Sequence, residues 1–530
     1  NIYIYILSLF LTFSLFSCDF EDTNTNPDEM TELEGTWDDF AIGGTFLSMQ
    51  RMVTIVGTQA DDTDIINQYQ ISYHLSADVW SGYFCQNNNW DSGNNHTNNY
   101  LKDQWVSASF KNSYTGIFPS WKKIKDNVSL LESFPEYYAL AQILKISAWH
   151  KTTDMFGPIP YKEAGELKVV VPFDSQQEVY KAFFEDLEEA IGVLTEKANQ
   201  GTQVIPDFDA IYSGNTTKWV KYANSLMLRL AMRVRYADAA MAQKYAEMAV
   251  NHPIGIITDK ADEAKIGEGA GVLFINNLEK LANQYAESRM GSSIFSYLMG
   301  YKDPRLSAYF KPSTNVKGTT TNYGVEAFDG NKYQAVPTGH ANGANDYYAS
   351  FSVVNVKNET PTYWLRASEV YFLRAEGALL GWSMGGDAAS LYKQGIETSF
   401  DENGIAPNLA SAYMTSGEKP MDYGINIGWR YSYSNAAPTA ATTEFTGNQE
   451  QKLEKIITQK WLALFPNGQE AWSEWRRTGY PKLHKVHYDA GGLGVSGVRR
   501  MIYPASFYQS ENDKKNIEEA LEMLGGEDKA

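Results

Sequence analysis

The chain has 530 residues, 43% of them hydrophobic, enough to bury one large core or two modest ones. Its net charge of −19 argues against a nucleic-acid partner, because a phosphate backbone is met by clustered Lys and Arg. Thirteen Trp, 34 Tyr and 25 Phe supply core, but many of the Trp and Tyr stand in Asn-, Gly- and Ser-rich stretches, which points to surfaces that stack on a ligand or partner.

Residues 1–17, NIYIYILSLFLTFSLFS, are apolar apart from Ser, Thr and the leading Asn, and carry no charge. The run fits a signal-peptide core and falls short of the about 20 residues a membrane span needs. It has neither an initiator Met nor a basic n-region, which predicts a few residues such as Met-Lys upstream. Ser17 directly before Cys18, with Leu15 three positions ahead of it, resembles a bacterial lipobox, in which the thiol is acylated and the upstream peptide removed. Cys18 then becomes a lipid-bearing N-terminus. A core cysteine in an ordinary helix is the competing reading, but such a helix would have no polar face. Residues 18–35 are rich in acidic side chains, have no basic one, and read as a solvated tether; 36–530 read as a single domain. Cys85, the other cysteine, is left without a partner, so no disulfide framework is expected.

Residues 78–105, DVWSGYFCQNNNWDSGNNHTNNYLKDQW, set Trp80, Tyr83, Trp90 and Tyr100 among Asn, Asp and Ser. Sugars offer flat C–H faces ringed by hydroxyls, so their binders combine aromatic platforms with amides and carboxylates. The competing reading is a polar loop pinned to the body by its aromatics. Tyr323, Tyr333, Tyr347 and Tyr348, further along, are expected to close over the same face.

Apolar spacing of three and four predicts helices over 137–153, 176–197, 216–236, 240–251, 364–381, 386–400 and 452–464. The first breaks at MFGPIP. Small residues at Ala223, Ala231, Ala375 and Ala378 suit the crossings of stacked, tetratricopeptide-type helix pairs, although no 34-residue period is visible. Gly381 reads as a left-handed cap and Pro481 as a helix stop. Strand signals are sparse, and two long polar tracts, 311–360 and 410–450, predict a second, loop-rich irregular lobe. The fold class is therefore mostly α.

Candidate chemistry is thin. Glu188/Glu189 and Glu470/Glu474 are acidic pairs, which a glycosidase would set about 5–10 Å apart across a cleft, but on helices such pairs read as solvated faces. The arginines beside Glu474 would also lower its pKa, the wrong direction for a general acid. His484 and His487 approach metal-ligand spacing without a Cys or carboxylate to complete a site, and the oxygen-rich DSGNNHTNN lacks the pattern of a calcium loop. No catalytic residue, metal or cofactor is assigned.

Five blocks, in order, resemble the SusD/RagB family of outer-membrane lipoproteins, in its SusD-like branch. They are AWHKTTDMFGPIPYKEA (148–164), DAIYSGNTTKWVKYANSLMLRLAMRV (209–234), WLRASEVYFLRAEGALLGW (364–382), ITQKWLALFPNGQEAWSEWRRTGYP (457–481) and RRMIYPASFYQSENDKKNIEEALEMLGGED (499–528). Phe507 departs from the family, which commonly has Glu there. The resemblance implies a lipid-anchored outer-membrane protein, facing the cell exterior, that binds a nutrient as the lid of a SusC-type TonB-dependent transporter and needs no catalytic group. It implies an oligosaccharide ligand or, in some members, a peptide; a surface glycoside hydrolase is the reading from another class. The family motifs carry no sugar-contacting positions across. Trp80, Tyr83, Trp90, Tyr323 and Tyr347 are therefore ligand candidates on their surroundings alone.

Overall fold

A computed structural model describes residues 40–61, 63–88, 90–168, 170–314, 333–341, 348–425 and 432–530. Cys18, the signal and tether segments, Tyr323 and Tyr347 lie outside them.

Eight helices build the scaffold: α1 Pro135–Phe156, α2 Gln176–Asn199, α3 Thr216–Val234, α4 Ala239–Val250, α5 Ala367–Leu379, α6 Ala388–Glu402, α7 Gln449–Leu464 and α8 Gly468–Thr478. Their starts are set locally. Ser175, Asn215, Asp238, Asp387, Asn448 and Asn467 each accept a hydrogen bond from a first-turn amide, and Ser175/Glu178 and Asn448/Gln451 close full capping boxes. In α2 the buried residues Val179, Tyr180, Phe183, Phe184, Leu187, Ala190, Ile191 and Leu194 form one stripe, while α1 is buried on nearly every side. Accordingly α2 covers α1, and the pairs α3/α4, α5/α6 and α7/α8 follow, with α2 against α3 and α5 against α7. Ala223, Ala231 and Ala375 are buried and Ala378 half-buried, so small side chains do stand where helices approach.

The predicted end of α5 is observed: Gly381 has φ +84° and receives the full double-bonded cap, Trp382 N–H to the Gly377 carbonyl and Gly381 N–H to Ala378, each at 3.0 Å. The start differs. Trp364 and Leu365 belong to a strand, because Thr362–Leu365 pairs antiparallel with Ala264–Ile266, a partner far away in sequence. Helix α8 stops two residues before Pro481, at Gly479, where φ is +73°.

The other lobe is short strands and turns. Phe84–Gln86 (β1) pairs antiparallel with Ser288–Met290 (β2), and Tyr423–Ile425 (β3) with Tyr433–Asn435 (β4). The lobe is held to the scaffold by aromatics. Tyr83 stacks on Trp461 with ring centres 5.2 Å apart and donates its hydroxyl to the Trp461 carbonyl, while the Trp461 indole donates to Ser81 at 2.8 Å.

The acidic pairs separate. Glu188 and Glu189 are exposed, as expected, but Glu470 and Glu474 correct the expectation of a solvated face: both are buried in an ion network. Arg233 pairs with Asp154, Glu470 and Glu474; Lys460 pairs with Glu474; Arg477 spans Glu474 (2.5 Å) and Glu376 (2.6 and 2.7 Å). Burial opposes the charge of Glu474, but Arg477, Lys460 and Arg233 outweigh it and hold the carboxyl well below its usual range. The cations come from three helices, which no local pattern displays.

Candidate functional site

The 87–100 loop leaves β1 and is built from inward-turned amides. Asn95 accepts from the Thr97 amide (3.0 Å) and hydroxyl (2.6 Å) and donates to the Trp90 carbonyl (2.6 Å). Asn99 donates to Asp489 (2.9 Å), and Gly491 sits so close to the Asn99 carbonyl that any Cβ there would clash. His340 donates Nε2–H to the Gln86 carbonyl at 2.5 Å, and the Cys85 thiol reaches the Pro337 carbonyl at 3.2 Å. Burial pushes that thiol up to about 12, so it stays protonated. Segments 87–100, 337–341 and 484–494 are thereby one loop face, bordered by β3 and β4, where the Tyr433 ring meets His487 at 4.8 Å.

Trp80 and Tyr83 do not belong to that face, which corrects their reading as platforms. Trp80 stacks on His96 (5.4 Å), packs on Trp472 (4.8 Å) and gives its indole hydrogen to the His96 carbonyl (2.8 Å). Tyr83 is fully buried, and so are Tyr333 and Tyr348 to within a few per cent. These aromatics stand among polar residues that are themselves buried and bonded, so polar neighbours did not mean solvent. Trp90 is half-buried, edge-on to Trp105 at 6.4 Å, with exposed Asp91, Ser92 and Asn94 following it. Tyr100 and Tyr488 are 44% and 41% exposed on the same loops, and Tyr488 had not been singled out in the sequence. Beside β3, Phe295, Tyr333, Phe351 and Tyr423 line a shallow hollow. His484 and His487 hydrogen-bond to Ser292 (3.0 Å) and Asn435 (2.8 Å).

Burial drives His96 down to about 3 and His340 to about 4. Below pH 6.5 the unfolded chain binds protons that these folded imidazoles refuse, so stability falls as pH drops from about 6.5 toward 4, by up to about 1.4 kcal/mol per pH unit per group. Urea midpoints measured across that window should show the fall, and His96→Gln should flatten its slope; an unchanged slope contradicts the assignment.

The described residues combine stacked helix pairs with a loop face that carries exposed aromatics, Tyr100 and Tyr488 among them. Residues 22–530 match the family described as SusD-like, the SusD and RagB outer membrane lipoproteins, and the chain belongs to that family. It is similar to the structure of a chitin-binding SusD homolog from Flavobacterium johnsoniae, at 32% identity and TM-score 0.81 over 92% of this chain and 97% of that one. A SusD homolog from Bacteroides uniformis is 33% identical (TM-score 0.78, 93% and 98% covered), and a further structure titled chitin-binding protein is 25% identical (0.71, 92% and 97%). No curated protein sequence matches. Among the described residues no helix is long and apolar enough to cross a membrane.

Proposed function

We propose that this protein is a cell-surface glycan-binding lipoprotein, anchored through Cys18, that captures chitooligosaccharide-like chains on its loop face and closes as a lid over a SusC-type TonB-dependent transporter. The observation that carries the reading is a half-buried Trp90 and exposed Tyr100 and Tyr488 on loops locked by internal hydrogen bonds, in a chain similar along nearly its whole length to a chitin-binding homolog. Fixed loops lower the ordering cost of binding, and open rings suit the C–H faces of successive sugar units. Transport energy comes through TonB, so no catalytic group is required; Glu470 and Glu474, consumed by cations, are not a glycosidase pair. Tyr323 and Tyr347 remain candidates for the rim.

Replacing Trp90 by Ala should weaken binding of chitooligosaccharides by about 2 kcal/mol, about thirtyfold, with the melting curve unchanged. Equal affinity in the folded variant removes Trp90 from the site, and tighter binding of peptides than of glycans favours the oligopeptide reading. Attachment is tested separately: Cys18→Ala should leave the outer-membrane fraction while keeping its helical circular dichroism, and normal fractionation contradicts the anchor.

A further inference from the structure

Two buried carboxyls meet at the start of α5. Consecutive amides of its first turn point one at each: Ala367 N–H donates to Glu263 Oε1 at 3.1 Å, and Ser368 N–H to Glu402 Oε1 at 2.7 Å. The Ser368 hydroxyl donates to the other Glu402 oxygen, also at 2.7 Å, and the two carboxyls are hydrogen-bonded to each other. Glu263 is 4% exposed and the Glu402 side chain 1%.

Their charge is not balanced by the groups around them. Arg366 Nη1 lies 3.6 Å from Glu402 Oε2, too far for a hydrogen bond, and its guanidinium rests 3.8 Å over the Tyr363 ring. Lys260 is paired with Asp401 at 2.7 Å, and Asp262 with Lys221 at 2.6 Å. Burial keeps the phenols of Tyr212, Tyr309 and Tyr363 protonated. These are the charged and titratable groups that face the pair among the described residues. One arginine is therefore set against two adjacent carboxyls, and in a buried site such a pair does not ionise twice. Burial, and after it Glu402, hold Glu263 well above the usual carboxyl range, so Glu263 is the partner that keeps its proton.

We propose that Glu263 and Glu402 form a proton clip, sharing one proton across the first turn of α5, and that losing it at higher pH frees the strand pair from the end of α6. Glu263 leads directly into Ala264–Ile266, whose ladder with Thr362–Leu365 is irregular between Ala264 and Lys265, and Glu402 is the last residue of α6. With the proton in place, a bond from the Glu263 carboxyl to the Glu402 carboxylate ties the two elements together. Hydroxide takes the proton away as water, and two carboxylates then repel each other side by side. The sign follows from linkage. The unfolded chain releases this proton above about pH 4.5 and the folded chain holds it. Stability therefore falls as pH rises from there toward the raised folded value, by up to about tenfold in the folding equilibrium per pH unit. The inference does not depend on the loop face binding glycan.

Glu263→Gln keeps the shape and a donor toward Glu402 and removes the titration. Urea unfolding of parent and variant from about pH 5 to about pH 8 should show the variant gaining at least about tenfold in folding equilibrium over the parent across the range. The infrared difference spectrum of parent minus variant at about pH 7 should contain one protonated-carboxyl band. Hydrogen exchange, corrected for intrinsic rates, should accelerate with pH at 264–266 and 367–368 in the parent and not in the variant. Should Glu263→Gln fail to fold, Glu402→Gln carries the test: Glu263 loses the neighbour that raises it, and the pH slope should shrink. A constant gap between parent and folded variant, an undiminished slope in Glu402→Gln, no protonated-carboxyl band, or exchange at those amides that ignores pH overturns the proposal.

Discussion

Glu474→Gln is expected to cost about 3–5 kcal/mol of stability, the range for removing one partner of a buried ion pair. The side chain keeps its shape and loses its charge, leaving Lys460, Arg233 and Arg477 facing a neutral amide. Arg233 and Arg477 retain Asp154, Glu470 and Glu376 as ion-pair partners, whereas among the described residues Lys460 makes its ion pair with Glu474 and feels Glu376 only at longer range, so Lys460→Met should recover part of the loss in the double variant. The pH dependence has a definite sign. A carboxyl held below its usual value contributes stability that is present above about pH 4.5 and is lost as pH falls through the folded value. The gap between parent and variant in urea midpoint should therefore stay constant down to about pH 4.5 and narrow only below it. A variant as stable as the parent at pH 7 would mean the network is neutral in the fold.

Trp80→Ala is expected to lose about 3–5 kcal/mol, as large aromatic truncations in cores do. The indole joins the lobe to the scaffold through Trp472, covers His96 and satisfies the His96 carbonyl, and all three contacts go at once. Trp90→Ala, ten residues on, should shift stability by well under half of that, because its ring is only half-buried. Thermal melts of the two variants side by side read this difference. Equal melting temperatures would place Trp80 back among surface aromatics.

Local rules carried the scaffold. The helical stripes, the polar caps before them and the glycine after α5 lie within a few residues of one another, so they were legible. Trp364 was misread because its strand partner, Ala264–Ile266, is non-local. The buried Glu474 was misread for the same reason: its cations sit on α3, α7 and α8. In the loop lobe, composition misled about Trp80 and Tyr83, since Asn95, Asn98 and Asn99 look solvated in sequence but are buried with their amides bonded inside the loop face. Phe507, where the family commonly carries Glu, packs edge-on against Phe110 at 5.0 Å, so an apolar contact occupies that position.

The central claim, glycan capture on the loop face, is tested most directly by hydrogen–deuterium exchange of the protein with and without a soluble chitooligosaccharide. The account predicts saturable protection concentrated in 87–100 and 484–494, and its loss in Trp90→Ala. Protection elsewhere only, or none with glycan but strong protection with peptides, would contradict it.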